Sequence, residues 1–206
     1  MHKSKLLDQF PEISYGIAVP AELVPTNAVR GEQVHKETIA WVGEHTESPI
    51  ARTDALLTRE KAKPLAVYTA DCVPVLLYEP KRRIVGTVHA GWRGTALEIV
   101  RKSIEALKCP PKDFRVILGP AICPNCFEVG AEVSRQFDPS CVRESEKEEG
   151  KFLVDLWQAN INQCLELEIP ESHIEVIRVC TFETQKLASF RRDHSDSRNF
   201  SWIAQK

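Results

Sequence analysis

The sequence has no apolar run approaching the roughly 18 residues that a membrane span requires; stretches such as Val73 to Tyr78 fall far short. Met1 to Phe10 likewise has no apolar core of signal-peptide length, so a cytoplasmic protein with no membrane partner is expected. A basic surplus is missing too. With 27 Lys and Arg against 29 Asp and Glu, the chain has no excess cation to neutralise phosphates, which argues against nucleic acid as a partner. Glycine (9) and proline (13) are too scarce for a collagen-like or low-complexity chain, and no repeat is visible. The cysteine count is seven, odd for a disulfide framework. In a reducing compartment such thiols serve as core residues, metal ligands or nucleophiles.

What is present is a sequence 43% hydrophobic over 206 residues. A chain of this length buries about 70% of the surface its unfolded form exposes, enough for one core without staples. A single domain spanning 1–206 is therefore expected. Short Val- and Ile-rich runs between turn residues predict strands over 65–70, 73–78, 84–90, 115–118 and 174–181. One helix is predicted over 95–107, with Leu97, Val100, Ile104 and Leu107 on its inner face and Pro110 and Pro111 beyond it. A second is predicted over 156–168, with Asp155 as N-cap, Gln158 at the capping-box position, and Trp157, Ile161, Cys164 and Leu165 facing inward. Residues 144–151, rich in Glu and Lys, read as an exposed loop. The interleaving is irregular, so the fold class is α+β, a single domain of mixed sheets flanked by helices.

The four residues Glu79 to Arg82 suggest a β-hairpin between the second and third strands. If Tyr78 pairs with Arg83, Cys72 lies opposite His89. Opposed residues on antiparallel strands share a face with Cβ atoms roughly 5 Å apart, from which a thiolate and an imidazole can reach one zinc ion. A one-residue slip would separate them. Catalytic zinc sites usually have three protein ligands and an open position. Spacing leaves His35, His45, His173 and His194 all open as the third. After His89 come Ala90-Gly91-Trp92-Arg93-Gly94, a glycine turn that lets the backbone approach a ligand, with Arg93 as an anion-binding charge. The competing reading is an ordinary tight turn with Arg93 solvated and Trp92 in the core. Ser189-Phe190-Arg191-Arg192-Asp193 is a further candidate anion clamp, against a plain solvated charge run. Cys123 and Cys126 form a Cys-x-x-Cys, which fits half of a structural zinc site, a redox pair or two unrelated thiols; with no second pair it reads first as unrelated thiols, Cys180 reads as core, and Cys109, Cys141 and Cys164 have no evident partner.

Taken in order, Gln33-Val34-His35, Thr53-Asp54-Ala55-Leu56-Leu57-Thr58, Ala70-Asp71-Cys72, Val88-His89-Ala90-Gly91-Trp92-Arg93-Gly94, Leu118-Gly119-Pro120-Ala121-Ile122, Phe127-Glu128-Val129-Gly130 and Ser189-Phe190-Arg191-Arg192-Asp193 resemble the laccase-domain family of bacterial proteins. That family was formerly described as multicopper polyphenol oxidases and is now described as purine nucleoside phosphorylases. The resemblance runs from about Gln33 to Asp193. It implies zinc ligands at His35, Cys72 and His89, a mixed α/β sandwich likened to cysteine-hydrolase toxins, and a homodimer. It also implies phosphorolysis of adenosine, inosine and methylthioadenosine with phosphate as co-substrate, and adenosine deamination as a second activity. Arg93 and Arg191 would position phosphate. The sequence departs from the pattern at Lys36, where a Gly is usual, at Cys123, where a Gly is common, and in having only about thirty residues before Gln33.

Three rival readings remain. A copper oxidase needs many His ligands, often as His-x-His; six His and no such pair disfavour copper against zinc. A metal-free hydrolase would use Cys72 as nucleophile and His89 as base, and some family members are linked to editing of peptidoglycan precursors. A non-enzymatic module would hold zinc and bind a partner.

Overall fold

The structure, a computed structural model, describes residues 2–206. Among these residues the strands, in chain order, are β1 (Ile13–Val19), β2 (Val29–Arg30), β3 (Ile39–Trp41), β4 (Ala55–Thr58), β5 (Leu65–Thr69), β6 (Val73–Glu79), β7 (Ile84–Ala90), β8 (Arg115–Leu118), β9 (Glu128–Gly130), β10 (Val142–Glu144), β11 (Lys151–Val154), β12 (Ile174–Val176) and β13 (Asn199–Gln205). The helices are α1 (Trp92–Ala96), α2 (Ile99–Ala106), α3 (Ala131–Ser134), α4 (Leu156–Glu166) and α5 (Phe190–Asp193). None is long and apolar enough to cross a membrane.

The strands form a six-stranded sheet ordered β12-β8-β6-β7-β4-β3, a four-stranded sheet ordered β1-β13-β5-β2, and a small antiparallel sheet β10-β11-β9. The two large sheets are mixed: β12 pairs β8, β3 pairs β4 and β2 pairs β5 in parallel, and the remaining neighbours are antiparallel. Period-two alternation along β6 and β7 separates two cores. Val75, Leu77, Ile84 and Val88 pack with Ile99 and Ile104 of α2 and with Trp157 and Cys164 of α4. Leu76, Tyr78 and Val85 turn the other way, against Ile13, Ile17, Leu65 and Ile203 of the four-stranded sheet and its approaches. The six-stranded sheet is thus the middle layer of a mixed α/β sandwich, covered on both faces. That is why its central strands β6, β7 and β8 read as apolar runs.

The hairpin forms, but its register is two residues from the expected one. Val73 pairs with Ala90, Pro74 with His89 and Glu79 with Ile84. Glu79 joins the strand because its buried carboxylate accepts the Lys81 and Arg82 amides at 3.0 and 2.7 Å, closing the turn one residue later, with Arg83 in the left-handed region (φ 52°). His89 therefore lies opposite Pro74 rather than Cys72. A shift of two, unlike a shift of one, leaves both side chains on the same face.

The helix expected over 95–107 begins earlier and is broken. Glu98 adopts φ 59°, ending α1 and restarting the chain in α2. Gln163 of α4 spans the break: its amide nitrogen donates to the Thr95 carbonyl at 2.9 Å and its oxygen accepts the Arg101 amide at 3.2 Å. The interruption changes the helical phase, so Leu97 is exposed rather than inward, while Val100, Ile104 and Leu107 are buried. In α4, Asp155 caps the Gln158 amide as expected, but the Gln158 side chain bonds Asn162 instead of returning, and Leu165 is exposed rather than inward. The strand expected over 174–181 ends at Val176, and Cys180 pairs again only as a single bridge to Ala121. Residues 144–151 include the ends of β10 and β11, so the exposed loop is the shorter segment between them.

Candidate metal centre

Cys72 lies one residue before β6 and His89 next to last in β7, so both sit at one end of the middle sheet. His35 arrives on the connection between β2 and β3. The donor atoms of His35, Cys72 and His89 all lie within 4.8 Å of one another, a span that includes the ~3.3–3.8 Å edges of a tetrahedral zinc site. The two imidazoles meet edge to face with centroids 4.7 Å apart. The other histidines left open by spacing are elsewhere: His45 is beside Glu44, His173 against Arg115, and His194 against Phe190.

One carboxylate organises two of the three residues. Asp54, buried just before β4, contacts His89 Nδ1 at 2.8 Å and accepts the amides of Val34, His35 and Lys36 at 3.2, 2.9 and 3.0 Å. These bonds hold His35 in the left-handed region (φ 60°). With Nδ1 engaged, His89 presents Nε2 to the cluster, the carboxylate–imidazole arrangement typical behind metal ligands. Gln33 fixes the same loop from the other side: its side chain pairs both the carbonyl and the amide of Tyr68, at 2.7 and 3.0 Å. Asp71, at φ 85°, accepts the Thr181 hydroxyl and the Arg191 amide, each at 2.7 Å, and so locks the turn that delivers Cys72. Gly91 is required by contact. A Cβ there would come within 2.9 Å of Cys72 Sγ and 3.1 Å of His35 Cδ2. Asp54 and Asp71 both fall within motifs that carry the family resemblance, but no role is legible for either from the sequence, because their partners are remote in the chain.

Burial alone would push the Cys72 thiol up, but the adjoining His89 charge and hydrogen bonds from His35 and His89 bring it down to about 6. Burial lowers His89; the Cys72 charge and the Asp54 hydrogen bond reverse this and raise it to about 9. Burial likewise pushes Asp54 up, and its bonds to His89 and to the Lys36 and Val34 amides outweigh it, holding the carboxyl below its usual value. Both shifts favour a thiolate–imidazolium pair when no metal is bound. One thiolate and two imidazoles also suit a borderline-soft divalent ion such as zinc.

The cluster forms the floor of a cavity of about 620 Å³, within the range of small-molecule sites. Trp92, Phe127 and Phe190 contribute aromatic walls, and Arg93, Arg191 and Arg198 line the same space. Trp92 both packs against the core and forms a cavity wall, while Arg93 is exposed, as the competing reading expects, with its guanidinium 4.2 Å from the Trp92 ring centroid. Thr69, another residue of the wall, has its hydroxyl buried and without a hydrogen-bond partner among the described residues. The two arginines of the 189–193 segment divide. Arg191 Nη1 bonds the Glu128 carbonyl at 3.0 Å beside the cavity, whereas Arg192 is spent on the Thr181, Phe182 and Leu187 carbonyls at 2.6–2.9 Å. Arg198 escaped the sequence reading. Finally, Cys123 and Cys126 are not unrelated thiols: Cys180, expected to be plain core, and Glu183 meet them in a second cluster.

The family model described as multi-copper polyphenol oxidoreductase laccase matches residues 17–206. A purine nucleoside phosphorylase of Bacteroides thetaiotaomicron is 31% identical over 190 residues, covering 88% of this chain and 69% of the relative. The purine nucleoside phosphorylase YlmD of Geobacillus stearothermophilus is 35% identical over 191 residues, covering 86% and 70%. Among solved structures, a hypothetical protein YfiH of Bacillus licheniformis superposes with a TM-score of 0.82 at 30% identity, covering 87% of this chain and 74% of that one.

Proposed function

Since the chain belongs to the multi-copper polyphenol oxidoreductase laccase family, with relatives named purine nucleoside phosphorylase, we propose that it is a zinc-dependent purine nucleoside phosphorylase. Its substrates on this reading are adenosine, inosine and methylthioadenosine, with adenosine deamination as a second activity. The observation that carries the reading is the meeting of His35, Cys72 and His89 on the floor of an aromatic, arginine-lined cavity. The three residues would hold the ion, and Asp54 would keep both histidines in place. Zinc with an open position supplies a Lewis acid that polarises a phosphate or water oxygen.

The chain's own residues do the rest. Trp92, Phe127 and Phe190 offer flat apolar surface to a purine. Arg93 and Arg191 bind phosphate and direct one of its oxygens at the anomeric carbon. The new C–O bond forms as the glycosidic C–N bond breaks, and the base leaves with the bonding pair and takes up a proton. Cytoplasmic location and a homodimer belong to the same reading, and the seven cysteines, all free among the described residues, suit a reducing compartment. Copper is disfavoured because the described residues place two histidines in the cluster, not the many of a multicopper centre.

The test is base release from adenosine and inosine by zinc-loaded protein, with and without phosphate. Phosphate-dependent release is expected; release that ignores phosphate would discard phosphorolysis. Each arginine–phosphate contact is a charge-assisted hydrogen bond of about 1.5–3 kcal/mol. Arg93→Ala with Arg191→Ala should therefore raise the phosphate KM at least about ten-fold. An unchanged phosphate KM would remove both from phosphate binding.

One observation favours a second reading. Cys72, His89 and Asp54 line up as nucleophile, base and orienting acid, which would serve a metal-free hydrolase. Against it, the His35 imidazole faces the same thiol and has no part in such a triad. Turnover that survives chelation would favour the hydrolase.

A further inference from the structure

The second thiol cluster lies just outside the cavity. The amides of Cys126 and Phe127 both donate to the Cys123 carbonyl, at 2.9 and 3.0 Å, curling the Cys-x-x-Cys into one tight turn. Cys180 and Glu183 come from the segment that follows β12. The two segments are clasped where the Thr181 amide donates to the Ala121 carbonyl at 3.0 Å and the Ala121 amide to the Val179 carbonyl at 3.3 Å. As a result, the three Sγ atoms and a Glu183 carboxylate oxygen lie within 4.8 Å of one another.

One edge of the cluster has the length expected for a four-ligand ion. Cys126 Sγ and Glu183 Oε1 are 3.6 Å apart; tetrahedral zinc, with Zn–S ~2.3 Å and Zn–O ~2.0–2.2 Å, has a sulfur–oxygen edge of about 3.5 Å. The Cys123 amide points at Cys180 Sγ from 3.3 Å, the kind of outer hydrogen bond that supports a thiolate ligand. A redox pair would leave the third thiol without a purpose, and Glu183, exposed at the surface, completes the cluster with a fourth donor. We propose that Cys123, Cys126, Cys180 and Glu183 form a second zinc site, closed by four protein ligands and structural, unlike the open three-residue centre.

The position gives the site a task. Ile122 and Phe127, which bracket the Cys-x-x-Cys, both line the cavity. Arg191 is held by the Glu128 carbonyl, and Arg192 by the carbonyls of Thr181 and Phe182. An ion tying the two turns would fix that wall and hence the guanidinium of Arg191.

Metal content of purified zinc-loaded protein, measured by mass spectrometry, tests the proposal without any turnover. About two zinc ions per chain are expected, with Cys123→Ser/Cys126→Ser and Cys72→Ala each retaining about one. One ion per chain that Cys72→Ala removes, or two that the double variant keeps, would overturn it. Should the double variant fail to fold, thiol labelling of the unaltered protein decides. Zinc should slow labelling of Cys123, Cys126 and Cys180 at least about ten-fold relative to chelated protein, with the core residue Cys164 unlabelled in both as the sign that the fold persists. Equal rates with and without zinc would refute the site.

Discussion

Cys72→Ala should lower phosphate-dependent base release by about a thousand-fold and remove the ion from the cavity floor. The thiolate is the single anionic donor of the cluster, and the imidazoles of His35 and His89 alone make a weak, uncharged site. Metal Lewis-acid stabilisation amounts to several kcal/mol, and about 4 kcal/mol corresponds to three factors of ten in rate. The residue is only half-buried at a strand entrance, so the chelated variant should still fold, with a thermal unfolding midpoint somewhat below that of the chelated parent because the Cys72–His89 charge pair is lost. A variant that keeps both zinc and most of its rate would separate Cys72 from the chemistry altogether.

Asp54→Asn is expected to weaken zinc binding about 10–100-fold, the usual consequence of removing a carboxylate behind a metal-binding histidine. Here the same carboxylate also holds three consecutive amides of the loop that carries His35, so the upper part of that range is expected. Chelator competition gives the affinity. A second readout follows from the titration of the chelated protein. Asp54 helps to raise His89 to about 9, and protonated His89 helps to lower Cys72 to about 6. Without the carboxylate charge, His89 gives up its proton at lower pH, the Cys72 thiolate loses its partner, and its pKa rises towards the ordinary thiol range. The pH midpoint for alkylation of Cys72 should accordingly lie near 6 in the parent and move upward in the variant. An unmoved midpoint would show that Asp54 positions the loop without tuning the pair.

The parts of the molecule legible in the sequence are those governed by local periodicity. Strands β5 to β8 are buried on both faces and announce themselves as apolar runs, and Asp155 marks the start of α4. Cys72 and His89 could be paired from the hairpin alone because an error of two residues in register preserves the face. The third histidine could not, since only the resemblance distinguished His35 from the others. The break at Glu98 was hidden because its cause, Gln163, lies on another helix. β1 and β13 went unread, although β13 alternates Phe200 and Trp202 with Ser201 and Ile203. Asp54 and Cys180 gain their meaning from partners remote in the chain, which periodicity does not report.

The close approach at Gly91 has a consequence for how such a protein can diversify. Gly91 abuts the cluster that floors the cavity, so even one added methyl there would press on two of its three residues. Altered selectivity cannot be reached by remodelling that floor; it must be drawn on the rim, at positions such as Phe127, Phe190 and Arg198. The architecture thus divides itself into a chemical foundation that tolerates no elaboration and a perimeter where new preferences can be tried without touching the donor atoms.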